Sequence, residues 1–139
     1  MGLPAAVAFF ESGFTVLGID KSVEKLRKIK SGEDPLSDPA NELAIPDRSE
    51  KWEVSNSYEK LEFFSGAIII AVPTPVDIEK RPDLSYISDV VRNILQSKGA
   101  ECTPIIVIES TVYPGTTHRI VSQISAELGL SIGVDFHLA

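Results

Sequence analysis

One cysteine, Cys102, and two histidines, His118 and His137, are the only thiol and imidazole groups in 139 residues. A lone thiol forms no intramolecular disulfide, and together with two distant histidines it falls short of a four-ligand zinc centre. No metal site is expected, and a reducing compartment is. Basic residues are also few: 13 Lys and Arg against 20 Asp and Glu leave a net charge of -7. That balance offers no surface to neutralise a phosphate backbone, which argues against nucleic acid as a partner. Long apolar runs are missing as well. The stretches 67–72 and 105–108 are far shorter than the roughly 18 residues of a membrane span. The apolar opening, residues 1–10, has no basic head to make a signal peptide and carries Ala6 where myristoylation wants Ser or Thr. A cytoplasmic protein without a membrane partner is the expectation.

Hydrophobic residues at 43% and charged residues at 24% are ordinary globular usage, so residues 1–139 are read as one domain able to bury a core. The runs 67–72 and 104–108 are continuous and rich in β-branched residues, the pattern of parallel strands covered on both faces. Weaker strand candidates lie at 14–19, 52–55 and 134–138. Between them, Val23, Leu26 and Ile29 fall at helical spacing in 22–30, with Ser22 as cap. Ile87, Val90, Val91, Ile94 and Leu95 do the same in 84–96, with Gly99 beyond. Ile120, Val121, Ile124 and Leu128 repeat it in 116–128, before Gly129. Strands alternating with helices imply right-handed βαβ units, hence an α/β fold with a Rossmann-like parallel sheet and helices on both faces. Residues 31–49, with Pro35, Pro39 and Pro46, read as a loop within the domain.

Asp20 follows the strand 14–19 and stands 18 residues after Gly2. In dinucleotide-binding folds an acidic residue about 20 positions beyond the glycine-rich turn accepts hydrogen bonds from ribose hydroxyls. The alternative is a helix cap, and one carboxylate can serve both purposes. The other glycines of a G-x-G-x-x-G ending at Gly2 would fall before Met1, as would the strand leading into them. The expected sheet therefore lacks its first strand and most of the glycine-rich turn. In the order 3-2-1-4-5-6 that strand is central, so the strands 14–19 and 67–72 should each show an unpaired edge, which points to a homo-oligomer, with a rearranged segment of the same chain filling the gap or a marginally stable monomer as the alternatives.

The blocks Gly2-Leu3-Pro4, Gly13-Phe14, Gly18-Ile19-Asp20, Ser31-Gly32-Glu33-Asp34-Pro35, Ala71-Val72-Pro73-Thr74-Pro75, Arg81-Pro82-Asp83-Leu84-Ser85-Tyr86 and Glu109-Ser110-Thr111-Val112-Tyr113-Pro114-Gly115-Thr116-Thr117 occur in this order. Over its whole length the chain resembles the N-terminal NAD-binding domain of the UDP-glucose/GDP-mannose dehydrogenase family, the nucleotide-sugar 6-dehydrogenases. The spelling of the last long block and of Val72-Pro73-Thr74-Pro75 is most similar to the branch that oxidises UDP-N-acetylhexosamines.

The resemblance implies NAD as cofactor and a role for each matching residue. Gly2 would open the first crossover helix beside the cofactor, Asp20 would hold the adenosine ribose, and Lys25 would lie near the adenine end. Val72, Pro73 and Thr74 would line the cofactor cleft, and Ser110 and Thr111 would lie near the nicotinamide. Thr111 would also be catalytic, helping to place the water of thioester hydrolysis. The family's reaction takes the C6 alcohol of a UDP-sugar to a carboxylate while reducing two NAD. It uses a cysteine nucleophile from a later domain, through which the UDP-sugar partner also binds, so this chain alone is expected to be inactive. Cys102, in a loop before a strand, is not that nucleophile.

Other readings stand beside these. Thr74 could be a turn hydroxyl between two prolines. Thr111 could cap the next helix, although Thr116 is the better cap, and Glu109 could be a general base or a structural acceptor. From another class altogether comes a non-catalytic Rossmann remnant that binds a partner. A 3-hydroxyacid-type dehydrogenase is disfavoured by the blocks between Thr74 and Thr117.

Overall fold

The computed structural model describes residues 2–36, 43–76, 78 and 82–139. The chain divides into two compact units, Met1–Ser57 and Tyr58–Ala139, each with its own parallel strands and crossover helices.

The first unit runs α1 (Gly2–Glu11), β1 (Val16–Ile19), α2 (Val23–Lys30) and β2 (Trp52–Ser55). The two strands are parallel, Val16 opposite Trp52 and Gly18 opposite Val54. Val7, Leu26, Ile29, Trp52 and Val54 form the buried core, with Leu3, Ala6, Phe10 and Val16 around it. Phe10 meets Trp52 edge to face, ring centroids 5.6 Å apart. Of the apolar stripe expected on α2, Leu26 and Ile29 are buried while Val23, in the first turn, is exposed. Ser22 caps this helix as its sequence predicts, the hydroxyl accepting the Lys25 N–H. In the loop 31–49, residues 37–42 with Pro39 lie outside the described residues, and Leu43 and Ile45 return to the core.

The second unit opens with a short 3-10 helix (Glu59–Phe63) and continues β3 (Ala67–Ile70), α3 (Ser85–Ser97), β4 (Ile105–Ile108), α4 (Thr116–Glu127) and β5 (His137–Leu138). All three strands are parallel, in the order β3-β4-β5. Two right-handed crossovers that step the same way along a sheet put both helices on one face. That face buries Ile70 and Ile106 with Ile87, Val91, Ile94 and Leu95 of α3 and Ile120, Val121 and Ile124 of α4. The expected cover on both faces is not met at these strands. Ile69 and Ile105 are 40% and 43% exposed where Ile70 and Ile106 are 2% and 0%, because α3 and α4 serve only one side. Continuous β-branched sequence reads the same whether one face is covered or two.

The pairings are those that the order 3-2-1-4-5-6 gives to its second to sixth strands: β2 with β1, and β3-β4-β5. Among the described residues β1 and β3 each have one hydrogen-bonded neighbour strand.

One cap expectation needs correction. Thr116 does not cap α4; the cap position is Gly115 at φ +80°, a left-handed conformation that glycine adopts without strain, and Thr116 is the buried first residue of the helix. Gly99 follows the Lys98 cap of α3, where the sequence places it, but it is not in the left-handed conformation that ends many helices. A Cβ on Gly99 would lie 2.1 Å from the Glu62 carbonyl oxygen, so this glycine gives clearance to the neighbouring 3-10 helix.

Candidate functional site

In the first unit Asp20 stands at the carboxyl end of β1, its N–H donating to Ser55 O at 3.2 Å as the strand pair ends. Its Oδ1 accepts the Ser22 N–H at 2.8 Å, and its Oδ2 lies 3.6 Å from Lys25 Nζ. The cap proper is therefore Ser22, and Asp20 braces the turn in front of it. A carboxylate offers about four lone-pair sites, so acceptor capacity for ribose hydroxyls remains. Gly2 is exposed at the start of α1.

In the second unit the loops after β3 and β4 carry the remaining residues of interest. Glu109 N–H donates to Ile70 O at 2.9 Å, extending the ladder one residue past β4. Ser110 is 8% exposed, and its hydroxyl donates to Val72 O at 2.8 Å. The Thr74 hydroxyl donates to Thr111 O at 3.0 Å. Val72, Pro73, Thr74, Ser110 and Thr111, separated by more than 35 residues in sequence, are thus brought together. Because the Thr74 proton is committed to a carbonyl, Thr74 can meet a ligand only as an acceptor, from a hydroxyl or amide N–H. The Thr111 side chain is exposed. Glu109 is exposed too and makes no side-chain hydrogen bond among the described residues, so the structural-acceptor reading does not hold for it.

Sequence reasoning used Asp83 only as part of a block. Its N–H donates to Pro75 O at 2.7 Å, closing the loop after Thr74, and its carboxylate accepts the Ser85 N–H at 2.9 Å. Hydrogen bonds from the Ser85 hydroxyl and then its N–H hold this carboxyl below the ordinary carboxylate value. The Asp-x-Ser spelling at a helix start was the available signal. Cys102 is buried, and its thiol donates to Glu62 O at 3.2 Å while Lys98 Nζ donates to Cys102 O at 3.0 Å. A buried thiol bonded in this way is structural. Among the described residues no group of three His, Cys, Asp or Glu side chains is placed to hold a metal ion, and no helix is long and apolar enough to cross a membrane.

Within the first unit Asp20, and within the second Thr74, Ser110 and Thr111, follow the carboxyl ends of parallel strands, the ends at which α/β sheets bind ligands.

Comparison with known proteins agrees. Residues 1–139 match the UDP-glucose/GDP-mannose dehydrogenase family, NAD binding domain. A UDP-N-acetyl-D-mannosamine dehydrogenase of Pyrococcus horikoshii is 34% identical over 100% of this chain and 33% of its own length. A UDP-N-acetyl-D-glucosamine 6-dehydrogenase of Salmonella typhi is 33% identical over 99% of this chain and 31% of its own. Among solved structures, a ternary complex of GDP-mannose dehydrogenase from Pseudomonas aeruginosa superposes with a TM-score of 0.85 at 29% identity, covering 96% of this chain and 32% of that one. The chain spans about a third of the length of the curated relatives it matches. By this match over residues 1–139 the chain belongs to the UDP-glucose/GDP-mannose dehydrogenase family, and the part of that family it represents is the NAD-binding domain.

Proposed function

We propose that residues 1–139 act as the single NAD-binding domain of a nucleotide-sugar 6-dehydrogenase whose substrate is a UDP-N-acetylhexosamine. The observation that carries this reading is the cross-tied pair of loops at the ends of β3 and β4, which gathers Val72, Pro73, Thr74, Ser110 and Thr111 into one site. NAD, when bound, accepts the hydride. Asp20 holds the adenosine ribose with Lys25 beside it, Gly2 opens the helix nearest the pyrophosphate, and the five residues of the second unit serve the nicotinamide end. Thr111, with an exposed hydroxyl and an anchored backbone, orients the water of the hydrolytic step. The choice of sugar rests on the spelling of the two loops and on two relatives named for UDP-N-acetylhexosamines. Such an enzyme fits a cytoplasmic, homo-oligomeric role in polysaccharide biosynthesis.

A partner-binding module is the second reading, favoured by the exposed Ile69 and Ile105 on the uncovered face of the second sheet. The test is a titration with NAD, followed by NADH formation by the full-length protein with UDP-N-acetylmannosamine, UDP-N-acetylglucosamine and UDP-glucose. Micromolar NAD binding and turnover of an acetylated sugar support the dehydrogenase. No NAD binding and no turnover leave the partner module.

A further inference from the structure

The two hydroxyl bonds between the loops run in opposite senses. Ser110, on the loop after β4, donates to a carbonyl of the loop after β3; Thr74, on the loop after β3, donates to a carbonyl of the loop after β4. The direction of each is fixed by chemistry, since a backbone carbonyl has no proton to give. We propose that Ser110 and Thr74 form a reciprocal latch, in which Ser110 is a positioning residue that acts on the cofactor site by holding the two loops in register. This rests on the NAD reading above.

The backbone explains why side chains are needed here. The ladder between β3 and β4 reaches its last rung at Glu109 N–H to Ile70 O. Beyond it the chain enters Pro73 and Pro75, which have no N–H to offer. Among the described residues no backbone hydrogen bond joins residues 71–75 to residues 110–112. Two hydroxyls replace the missing rungs, each satisfying a carbonyl that the opposite loop leaves open. Ser110 is buried between exposed neighbours, Glu109 and Thr111, which suits a brace better than a contact surface. The anchored Thr111 carbonyl also fixes the backbone from which the exposed Thr111 hydroxyl projects, and a site held this way meets its ligand with less ordering left to do.

The test uses full-length protein labelled with carbonyl carbon-13 in valine and threonine, first without ligand and then titrated with NAD. Ser110→Ala should move the Val72 carbonyl resonance and also that of Thr111, whose own hydroxyl partner is untouched. It should weaken NAD binding about three- to tenfold, the range of one lost hydrogen bond. Thr74→Val should move the same two resonances, while Thr74→Ser, which keeps the hydroxyl, should leave both in place. A Thr111 carbonyl that stays put in Ser110→Ala would show two independent bonds and overturn the latch. Unchanged NAD affinity in that variant would overturn the positioning role. Wild-type protein that binds no NAD would remove the cofactor reading and the positioning role with it, while the ligand-free carbonyl signals would still decide whether the loops are latched.

Discussion

The Asp20 carboxylate is held at both oxygens by the start of α2, with Ser22 N–H 2.8 Å from Oδ1 and Lys25 Nζ 3.6 Å from Oδ2. This side chain is therefore oriented before any ligand arrives. Charge-assisted hydrogen bonds are worth about 1.5–3 kcal/mol, so Asp20→Ala should weaken NAD binding by about 10- to 100-fold. The ion pair with Lys25 is exposed and adds little to stability, and the thermal midpoint should barely move. Calorimetric titration alongside a melt checks this, and undiminished NAD affinity would remove Asp20 from the site.

A pH effect is expected where α3 meets α4. Arg92 Nη2 donates to Glu127 Oε2 at 2.6 Å and Gln123 Nε2 donates to Oε1 at 3.1 Å. The Arg92 bond first, then that of Gln123, holds the Glu127 carboxyl below its ordinary value of 4.5. A carboxyl lowered in the folded state contributes stability that is full above the ordinary value and is lost as pH falls through the lowered one. Glu127→Gln should therefore be less stable than the parent at pH 7, and the gap should narrow in acid. The group is exposed, so the difference is small and shrinks in salt. Thermal unfolding of both proteins at pH 7 and pH 3.5 measures it, and a gap that widens in acid contradicts the assignment.

The elements were legible wherever apolar spacing carried the signal: Leu26 with Ile29, Ile87 with Val91 and Ile94, and Ile120 with Val121 and Ile124 are all buried where the periodicity puts them. Asp20 was legible as a candidate through its distance from Gly2. The tie between Thr74 and Thr111 was not, because a bond across 37 residues leaves no mark in local pattern. The approach of Gly99 to Glu62 was not legible for the same reason, since the two lie far apart in sequence.

That neighbour makes Gly99 a sensitive position. A Cβ there would stand 2.1 Å from Glu62 O and 3.5 Å from Cys102 Sγ, and the obstructing atom is backbone. Overpacking of this kind typically costs about 1–3 kcal/mol. Gly99→Ala should lower the denaturation midpoint by a corresponding amount without altering NAD affinity. A variant as stable as the parent would show that the 3-10 helix moves aside freely.

The exposed Ile69 and Ile105 lead to an expectation about assembly. Among the described residues β3 has one hydrogen-bonded neighbour strand, β4, and the run 67–72 carries no charge or proline to discourage pairing with another chain. The protein should therefore sediment as an oligomer. Ile69→Lys, which puts a charge on a side chain already 40% exposed, should shift it toward monomer with its helix content retained. A wild-type monomer of high thermal stability would count against the homo-oligomer.

Thr111 is the residue of this chain proposed to act in the hydrolytic step. Its carbonyl is anchored by Thr74 while its side chain is exposed. Replacing it by valine keeps the shape and removes only the hydroxyl. A hydroxyl that places an attacking water stabilises the transition state more than the bound cofactor. In the full-length protein Thr111→Val should therefore lower the rate of NADH formation by about three- to tenfold or more, with NAD affinity nearly unchanged. The 139-residue chain should not turn over a UDP-sugar, because it spans about a third of its relatives and its one thiol, Cys102, is buried against Glu62 O. Steady-state NADH formation with UDP-N-acetylmannosamine and UDP-N-acetylglucosamine separates the outcomes. A variant with normal kcat and weaker NAD binding would make Thr111 a cofactor contact, an unaffected one would remove it from the site, and turnover by the 139-residue chain would show that the chemistry needs nothing beyond it.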